Sequence, residues 1–292
     1  MRRKIINGLK LLFTPVAVAF LLYFAWQSKD ELANLISNAS LSYLGFATVV
    51  WGLLHGLSPL LAVIVFNACG SKVSWQQAFS THAARLPARY LPGGIWHTVG
   101  RVMDYREQGV QPRHLTAFVV LENGLAAAVT LAIGGAIVFA MRGTDSLGSV
   151  AGLSSIAGIV ALPTIGFLLN SRVLQQPDRL SFFAYTKTVG AVVLFWAVAT
   201  LAFLLYLNAF PASTGAYSSV EMGGIYLFSW GVGFVSIFAP QGVGVFEFVA
   251  SKLMGGPIGF MGLAALIAGF RVVVLAADLV VWLIYQARRR RN

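Results

Sequence analysis

Apolar residues form long, nearly uninterrupted runs along this chain, and polar residues are confined to short segments between the runs. About 20 apolar residues in a row are the length that a helix needs to cross roughly 30 Å of hydrocarbon. Six runs reach this length, at residues 10–27, 43–69, 114–141, 149–170, 185–209 and 258–286. The pattern predicts an all-α polytopic membrane protein of about six transmembrane helices, forming a single integral membrane domain over residues 1–292.

Two further apolar stretches, at about 75–106 and 221–256, are interrupted by proline and glycine. The first contains Leu91-Pro92-Gly93-Gly94 and the second Ala239-Pro240-Gln241-Gly242. Because proline removes a backbone donor and glycine loosens the helix, each interruption should split its stretch into two half-helices. Broken backbone is tolerated at membrane depth only where protein buries it or water reaches it. We expect two re-entrant hairpins, with a proline-kinked helix as the alternative for each.

The two interruptions share a pattern, since Pro92, Gly94 and Ile95 correspond in order and spacing to Pro240, Gly242 and Val243. In the six-span arrangement, the first hairpin enters from the cytoplasm and the second from outside. Opposed broken helices that meet near the midplane are the usual construction of transporter binding sites with inverted repeats. We therefore expect an inverted repeat, with coincidental helix breaking as the alternative.

Composition and charge identify the surroundings of the chain. Hydrophobic residues make up 58% and charged residues 11% of the 292 residues, which excludes a soluble globular protein. The formal net charge is +11. With so little polar surface, this charge favours contact with lipid headgroups and not with nucleic acid. Lys and Arg near the ends of the spans place both termini in the cytoplasm and Gly256 near the outer face.

Basic residues also precede the first apolar run, at positions 2–4. A secretory signal peptide begins in the same way, but here no small-residue cleavage site follows the run. We therefore expect the first run to be retained as a span.

The start of each second half-helix, at about Gly94 and Gly242, is the first candidate for chemistry. The unpaired N–H groups there carry the positive end of the helix dipole, and both ends would point toward the membrane centre. Such sites bind anions, and phosphate is the obvious biological candidate. Glycines beside the breaks would let a headgroup approach the backbone closely. The candidates are Gly93, Gly94, Gly242 and Gly244.

Basic side chains surround the first interruption. Arg85 and Arg89 are four residues apart, and His97 and Arg101 repeat this spacing beyond the break, so each pair shares a helix face. A guanidinium group matches phosphate oxygens with a two-pronged geometry, so these side chains are candidate phosphate ligands. Alternatively, Arg85 and Arg101 lie at a shallow depth and anchor the hairpin at the interface, and His97 is a satisfied buried polar group.

Four ionisable residues fall inside apolar segments, where charges are costly and tend to be functional. They are Glu122, Glu247, Arg271 and Asp278. Arg271 and Asp278 are too far apart for easy contact, so we expect each to pair across helices, with Glu247 as the partner of Arg271. Arg271 is also a candidate ligand of the anion, and the three carboxylates are candidates for proton coupling or for structural ion pairing. His55, beside Gly56 and Pro59, is interpreted as a packing or kink residue.

Sequence motifs for the common enzyme classes are missing. The chain has no nucleotide-binding Gly-x-x-x-x-Gly-Lys-Ser/Thr loop, no His-Glu-x-x-His zinc pair and no Gly-x-Ser-x-Gly elbow. We expect neither an enzyme, a metal site nor a cofactor. Cys69 is the only cysteine and can form no internal disulfide.

Two motifs resemble those of a known family. Arg89-Tyr90-Leu91-Pro92-Gly93-Gly94-Ile95-Trp96, followed by Gly100-Arg101, is similar to the membrane domain of the lysylphosphatidylglycerol synthase and flippase family, which includes the membrane part of bacterial multiple peptide resistance factors. The segment 239–247 resembles the family's Pro-Gly-Gly-x-Gly-x-Arg-Glu stretch. It departs from that stretch at Gln241, where glycine is usual, and at Phe246, where arginine is usual.

The resemblance implies a lipid flippase of the bacterial inner membrane, without the separate soluble synthase domain. Together with the charges, it predicts a transporter that binds an anionic phospholipid or a polyprenyl-phosphate-linked headgroup at mid-membrane and carries it across the bilayer. The alternative is a membrane partner that transports nothing and positions a lipid-modifying enzyme such as a glycosyltransferase.

Overall fold

The computed structural model describes residues 18–91, 95–211, 217–236, 239–255 and 257–290. Within these ranges the regular structure is entirely helical, as predicted, and no strand is present. The α-helices in the described ranges are α1 (Val18–Gln27), α2 (Lys29–Ser37), α3 (Leu41–Ala68), α4 (Trp75–Ala84), α5 (Trp96–Glu107), α6 (Pro112–Arg142), α7 (Ser146–Leu168), α8 (Phe182–Asn208), α9 (Ser219–Val235), α10 (Val245–Met254) and α11 (Gly259–Arg289).

Five helices are long and apolar enough to cross a membrane, namely α3, α6, α7 with the π-helical turn Leu169–Val173 that follows it, α8 and α11. They confirm the last five of the six predicted spans. The first predicted span lies partly outside the described residues, and its described part is the short helix α1. By the length and composition of these helices, the chain is a multi-pass membrane protein.

Side-chain caps determine where the helices of the two interrupted stretches begin. At α4, the Ser74 hydroxyl accepts from the Gln77 N–H, and the Gln77 side chain accepts from the Ser74 N–H. Ser218 and Glu221 form the same reciprocal box at the start of α9. These boxes satisfy N–H groups that the first helical turn leaves without partners.

Small residues let the central helix α6 pack closely against its neighbours α7 and α9. A Cβ atom at Gly134 would lie 2.3 Å from the backbone nitrogen of Phe228 on α9, and one at Gly158 would lie 2.6 Å from the carbonyl oxygen of Ala128. Backbone contact of this kind is the usual way in which membrane helices associate, since lipid leaves no hydrophobic drive between them. The helices α3 and α8 also pack along each other.

Each interrupted stretch forms two helices, as predicted. In the first, α4 leads into the 3-10 turn Leu86–Tyr90 and α5 begins at Trp96, while Pro92, Gly93 and Gly94 lie outside the described residues. In the second, α9 ends at Val235, a 3-10 turn covers Pro240–Gly242, and α10 begins at Val245. We call α4 with α5 the first broken pair and α9 with α10 the second.

Contacts within each pair place its two helices side by side. The Gln108 side chain, just after α5, donates to the Thr81 hydroxyl oxygen on α4 at 3.0 Å. Arg85, just after α4, donates to Asp104 in the last turn of α5. The Tyr217 hydroxyl, just before α9, donates to the Leu253 carbonyl on α10 at 3.3 Å. In both pairs the chain therefore folds back on itself at the interruption.

The two interruptions meet, because the Gln241 side-chain amide donates a hydrogen bond to the carbonyl oxygen of Arg89. The Arg89 side chain contacts Asp278 on α11, which in turn contacts His55 on α3. His55 lies about 20 Å from either end of α3 at a rise of about 1.5 Å per residue. The meeting point is therefore at the level of the middle of α3.

Candidate functional site

The meeting point of the two broken pairs, which we call the junction, consists of Arg89, Tyr90, Gln241 and Arg271 with the carboxylates of Asp278 and Glu247. Sequence reasoning selected all of these residues as ligands, ionisable candidates or parts of a motif. Their side chains come from the first 3-10 turn, the second 3-10 turn, α10 and α11.

Asp278 is buried, with 2% of its side chain exposed, and its carboxylate accepts hydrogen bonds from two side chains and contacts a histidine ring. Arg89 Nη1 lies 3.0 Å and the Tyr90 hydroxyl 2.9 Å from Oδ2, while His55 Nε2 lies 3.0 Å from Oδ1. Charge-assisted hydrogen bonds to a buried carboxylate are among the stronger ones in proteins. Asp278 therefore holds the first 3-10 turn against α3 and α11, and its predicted pairing across helices is confirmed.

Glu247 is fully buried and bonds in two directions. Its Oε1 accepts from Arg271 Nε at 2.7 Å, which confirms the predicted ion pair. Its Oε2 accepts from the Gly244 N–H at 2.7 Å, at the start of α10. The positive end of α10 is therefore neutralised by a carboxylate of the chain itself.

The glycines of the second interruption accordingly differ from what the sequence suggested. We expected Gly242 and Gly244 to leave room for a headgroup, but the Gly244 N–H is already bonded to Glu247. A Cβ atom at Gly242 would lie 3.1 Å from the backbone of Gly233 on α9. Because Gly242 has no side chain, the backbone of Gly233 can pack directly against it. Gly93 and Gly94, the corresponding candidates in the first interruption, lie outside the described residues.

The remaining arginines of the first broken pair do not converge with Arg89 on one open groove. Arg85 pairs with Asp104 on α5, with Nε 2.8 Å from Oδ2, and 43% of its side chain is exposed. Arg101 pairs with Glu122 on α6 through two bonds of 2.8 and 2.6 Å. Only 4% of the Arg101 side chain is exposed, so its interpretation as a shallow interface anchor is wrong. The Arg101–Glu122 pair instead joins α5 to α6.

Three histidines lie between Asp278 and Arg101. His55 Nδ1 is 3.0 Å from His82 Nε2, and the His82 ring is 5.3 Å from the His97 ring, measured between centroids. All three rings are buried, and His97 Nε2 has no hydrogen-bond partner among the described residues. Sequence reasoning interpreted His55 as a packing residue and missed His82. An imidazole inside an apolar stretch was the available signal for both.

A second polar cluster, also missed, joins the ends of three segments away from the junction. Asp178, which precedes α8, accepts from Arg113 and from His114 at the start of α6, with His114 Nε2 3.0 Å from Oδ2. His114 Nδ1 is 2.7 Å from the Ser71 hydroxyl, just after α3. This cluster holds together the segment after α3, the start of α6 and the segment before α8.

At the junction the two arginine side chains are partly exposed, whereas the two carboxylates are buried. The side chains of Arg89 and Arg271 are 28% and 37% exposed, while Asp278 and Glu247 are 2% and 0% exposed. Arg271 is close enough to interact electrostatically with the Tyr90 hydroxyl. The junction therefore has two partly exposed guanidinium groups whose counter-charges are buried, which is an arrangement suited to an anion. Within the described residues, no three His, Cys, Asp or Glu side chains are grouped to hold a metal ion.

Comparison with known proteins adds no relative. No family model matches the sequence, and no curated protein matches it. The resemblance of the two motifs to the lysylphosphatidylglycerol synthase and flippase family therefore stays a prediction based on residues 89–101 and 239–247.

Proposed function

We propose that this protein is a lipid translocase that binds the phosphate of an anionic phospholipid or of a polyprenyl-phosphate-linked lipid at the junction and moves it across the membrane. One observation carries the proposal: Arg89 and Arg271, from the two sides of the junction, are both partly exposed at mid-bundle while their carboxylate partners are buried. Charged groups at this depth are expensive and are kept where they serve a ligand or a pathway.

The direction in which each broken pair enters supports an opposed, re-entrant arrangement. The first pair follows the end of α3, whereas the second follows the end of α8, where the Ala209 carbonyl accepts from the Ser40 N–H at the start of α3. The two pairs thus start near opposite ends of α3 and touch near its middle through Gln241 and Arg89. An inverted repeat with re-entrant hairpins accounts for this geometry.

A phosphate is the preferred ligand because the available donors are guanidinium groups. Each group offers a rigid fork of N–H donors from which two phosphate oxygens can accept. A lipid phosphate that reaches the junction would compete with Asp278 for Arg89. Transport requires this competition to be balanced, since a ligand that binds too tightly cannot leave toward the other side.

We place the protein in the bacterial inner membrane with both termini in the cytoplasm, as the motifs and the charges indicate. The first broken pair then opens toward the cytoplasm and the second toward the outside. A lipid headgroup could reach the junction from either leaflet as one pair moves relative to the other.

The test is movement of labelled lipid in phosphatidylcholine liposomes that contain the purified protein. Two anionic probes are used, a fluorescent phosphatidylglycerol and a fluorescent polyprenyl phosphate, with fluorescent phosphatidylcholine as the uncharged comparison. We expect the wild type to move at least one anionic probe faster than the comparison. Arg89→Gln should slow this movement by at least about tenfold, since a hydrogen bond to a charged group contributes about 1.5–3 kcal/mol.

Arg288→Gln is the matched control, because Arg288 is an exposed arginine in the last turn of α11, away from the junction. It should change the rate little. If the wild type moved neither anionic probe, translocation would be abandoned and the docking-partner alternative adopted. Equal small effects of the two substitutions would remove Arg89 from the binding site.

A further inference from the structure

We infer that His82, His55 and Asp278 form a proton-transfer chain that couples lipid binding at Arg89 to the uptake of one proton. This inference rests on the proposed function and names the proton as its coupling ion. The chain crosses three elements in order, from α4 to α3 to α11, and its far end is the carboxylate that holds Arg89.

With one proton on each ring, the distances allow a single assignment of those protons. The Asp278 carboxylate can only accept, so His55 Nε2, 3.0 Å from Oδ1, carries a proton. His55 Nδ1 is then an acceptor, and His82 Nε2, 3.0 Å away, must donate to it. His82 Nδ1 accepts in turn, and the Ser58 hydroxyl lies 3.4 Å from it. In this assignment each ring proton lies on the nitrogen that faces Asp278.

The two rings and the carboxylate of the chain are buried among other charged and titratable groups. His82 faces Arg101 and His97 from α5, Arg89 from the first 3-10 turn and His55 from α3. Asp278 faces Arg89 and Tyr90 from the first 3-10 turn and His55 from α3. His55 and His82 are 3% and 1% exposed, so a charge cannot rest on either ring without cost. A proton that enters should therefore pass through to the carboxylate.

The transfer balances as follows. A proton arrives at His82 Nδ1, and His82 releases its Nε2 proton to His55 Nδ1. His55 releases its own Nε2 proton to Asp278 Oδ1. Both imidazoles end neutral with their protons on Nδ1, Asp278 becomes a neutral carboxylic acid, and one proton has been added. Departure of the proton by the same route restores the first state.

Arg89 links this step to the lipid. Only Nη1 of its guanidinium contacts Asp278, so a lipid phosphate can accept from the remaining N–H groups. The single positive charge of Arg89 is then shared with the phosphate, which leaves the buried carboxylate without full compensation. An uncompensated buried charge is neutralised by taking up a proton. Asp278 should therefore be ionised when Arg89 pairs with it and protonated when Arg89 pairs with the lipid, which couples one proton to one phosphate.

Infrared difference spectroscopy tests the chain without any lipid substrate. In the purified protein, Arg89→Gln and the shape-filling variant Arg89→Met remove the counter-charge as the lipid would. Both should show the carbonyl stretch of a protonated carboxylic acid near neutral pH, a band absent from the wild type and lost in the double variant Arg89→Gln with Asp278→Asn. Absence of the band in both folded variants would overturn the inference.

The rate at which the carbonyl band appears identifies the route that the proton takes. After a rapid drop in pH, His55→Gln or His82→Gln in the Arg89→Gln background should slow its appearance by about a hundredfold, as expected for loss of a positioned proton-transfer group. His114→Gln is the matched control, because His114 is equally buried and bonded to a carboxylate, in the cluster with Asp178. It should leave the rate unchanged. Unchanged rates in both chain variants would show that the proton takes another path.

Liposomes separate this inference from the proposed function. With one proton per lipid, a pH gradient should shift the steady-state distribution of the anionic probe by up to about tenfold per pH unit in the wild type. His55→Gln should approach this distribution more slowly than the wild type. Lipid movement that ignores the gradient would overturn the coupling and leave translocation intact. No lipid movement, with the infrared results as expected, would overturn the translocase proposal while leaving the proton chain to Asp278 in place.

Discussion

At the scale of single residues, the two ion pairs of the junction share an asymmetry that determines which partner matters more for stability. In each pair the carboxylate is almost inaccessible, while its arginine is about a third exposed. Losing the arginine leaves a charge in a place that nothing else can solvate, whereas losing the carboxylate leaves a cation with some access to its surroundings.

For the Glu247–Arg271 pair, we therefore expect Arg271→Gln to destabilise the protein more than Glu247→Gln. Arg271→Gln leaves Glu247 buried without its cation, at a cost of about 3–5 kcal/mol, while Glu247→Gln should cost about 1–2 kcal/mol, the range for a lost hydrogen bond. Denaturant unfolding in detergent measures both. The double substitution to Gln should recover much of the loss caused by Arg271→Gln. A larger loss for Glu247→Gln would contradict this account.

Gln241 combines an unfavourable backbone with a useful side chain. Its φ of 55° lies in the left-handed region that favours glycine, the residue usual here in the resembling family, yet its amide joins the second interruption to the Arg89 carbonyl. Gln241→Ala keeps the strained backbone and loses the bond, so it should cost about 1 kcal/mol.

Gln241→Gly also loses that bond but relieves backbone strain of about 1–2 kcal/mol, so it should be more stable than the alanine variant. Thermal unfolding of the two variants gives the comparison. Both should slow lipid movement, because both disconnect the interruptions. Glycine and alanine variants of equal stability would show that the φ of this residue carries no strain.

At the scale of helices, small residues determine how closely α6 approaches α9. Gly134 stands where any side chain would overlap the backbone of Phe228. Gly190, on the exposed face of α8, has nothing within 4 Å of its missing Cβ. The same substitution at these two sites should therefore have opposite results.

Gly134→Ala should force α6 and α9 apart and cost about 1–3 kcal/mol, the usual range for overpacking. Gly190→Ala should be neutral or stabilising by up to about 1 kcal/mol, since alanine favours a helix over glycine. Because α9 carries the second interruption, Gly134→Ala should also slow lipid movement. If both variants unfolded alike, close packing of α6 would not explain the glycine.

At the scale of the whole molecule, the proposed side of entry of each broken pair depends on which end of the bundle faces the cytoplasm. Cys69 simplifies the measurement, because it follows α3, is fully buried and lies beside Asp178. Burial, and to a lesser extent the Asp178 charge, raises the pKa of the Cys69 thiol to about 11, with Arg113 acting in the opposite direction. Since the thiolate is the reacting species, the native cysteine should stay silent in labelling experiments.

We expect Thr144→Cys, between α6 and α7, to react with a membrane-impermeant maleimide in intact cells at neutral pH. Gln175→Cys, between the π-helical turn and α8, should react only after permeabilisation. Both residues are exposed, so access should depend on the side of the membrane alone. The unmodified protein is the control and should show no labelling. The reverse result would invert the proposed topology and place both termini outside.

Much of the architecture could be predicted from the local pattern of apolar residues, prolines and glycines. Run length predicted the five long helices, and Pro-x-Gly predicted where the two interrupted stretches divide. The Glu247–Arg271 pair could also be proposed, because few charged groups lie inside apolar segments and each needs a partner. The roles of Gly242 and Gly244 could not be predicted, since a glycine that packs against backbone has the same local pattern as one that leaves room for a ligand.

The sequence by itself thus determined the helical, membrane-spanning character of the chain, because the length and apolarity of a segment act on each helix separately. Only the tertiary structure decided which side chains meet. His55 and His82 come from the consecutive helices α3 and α4 and Asp278 from the distant α11, and the three side chains touch only because these helices pack at one rotation and depth. The same packing placed Arg101 against Glu122 and left Arg89 and Arg271 partly exposed. Rotation and depth depend on contacts summed over the whole bundle, and no single segment encodes them.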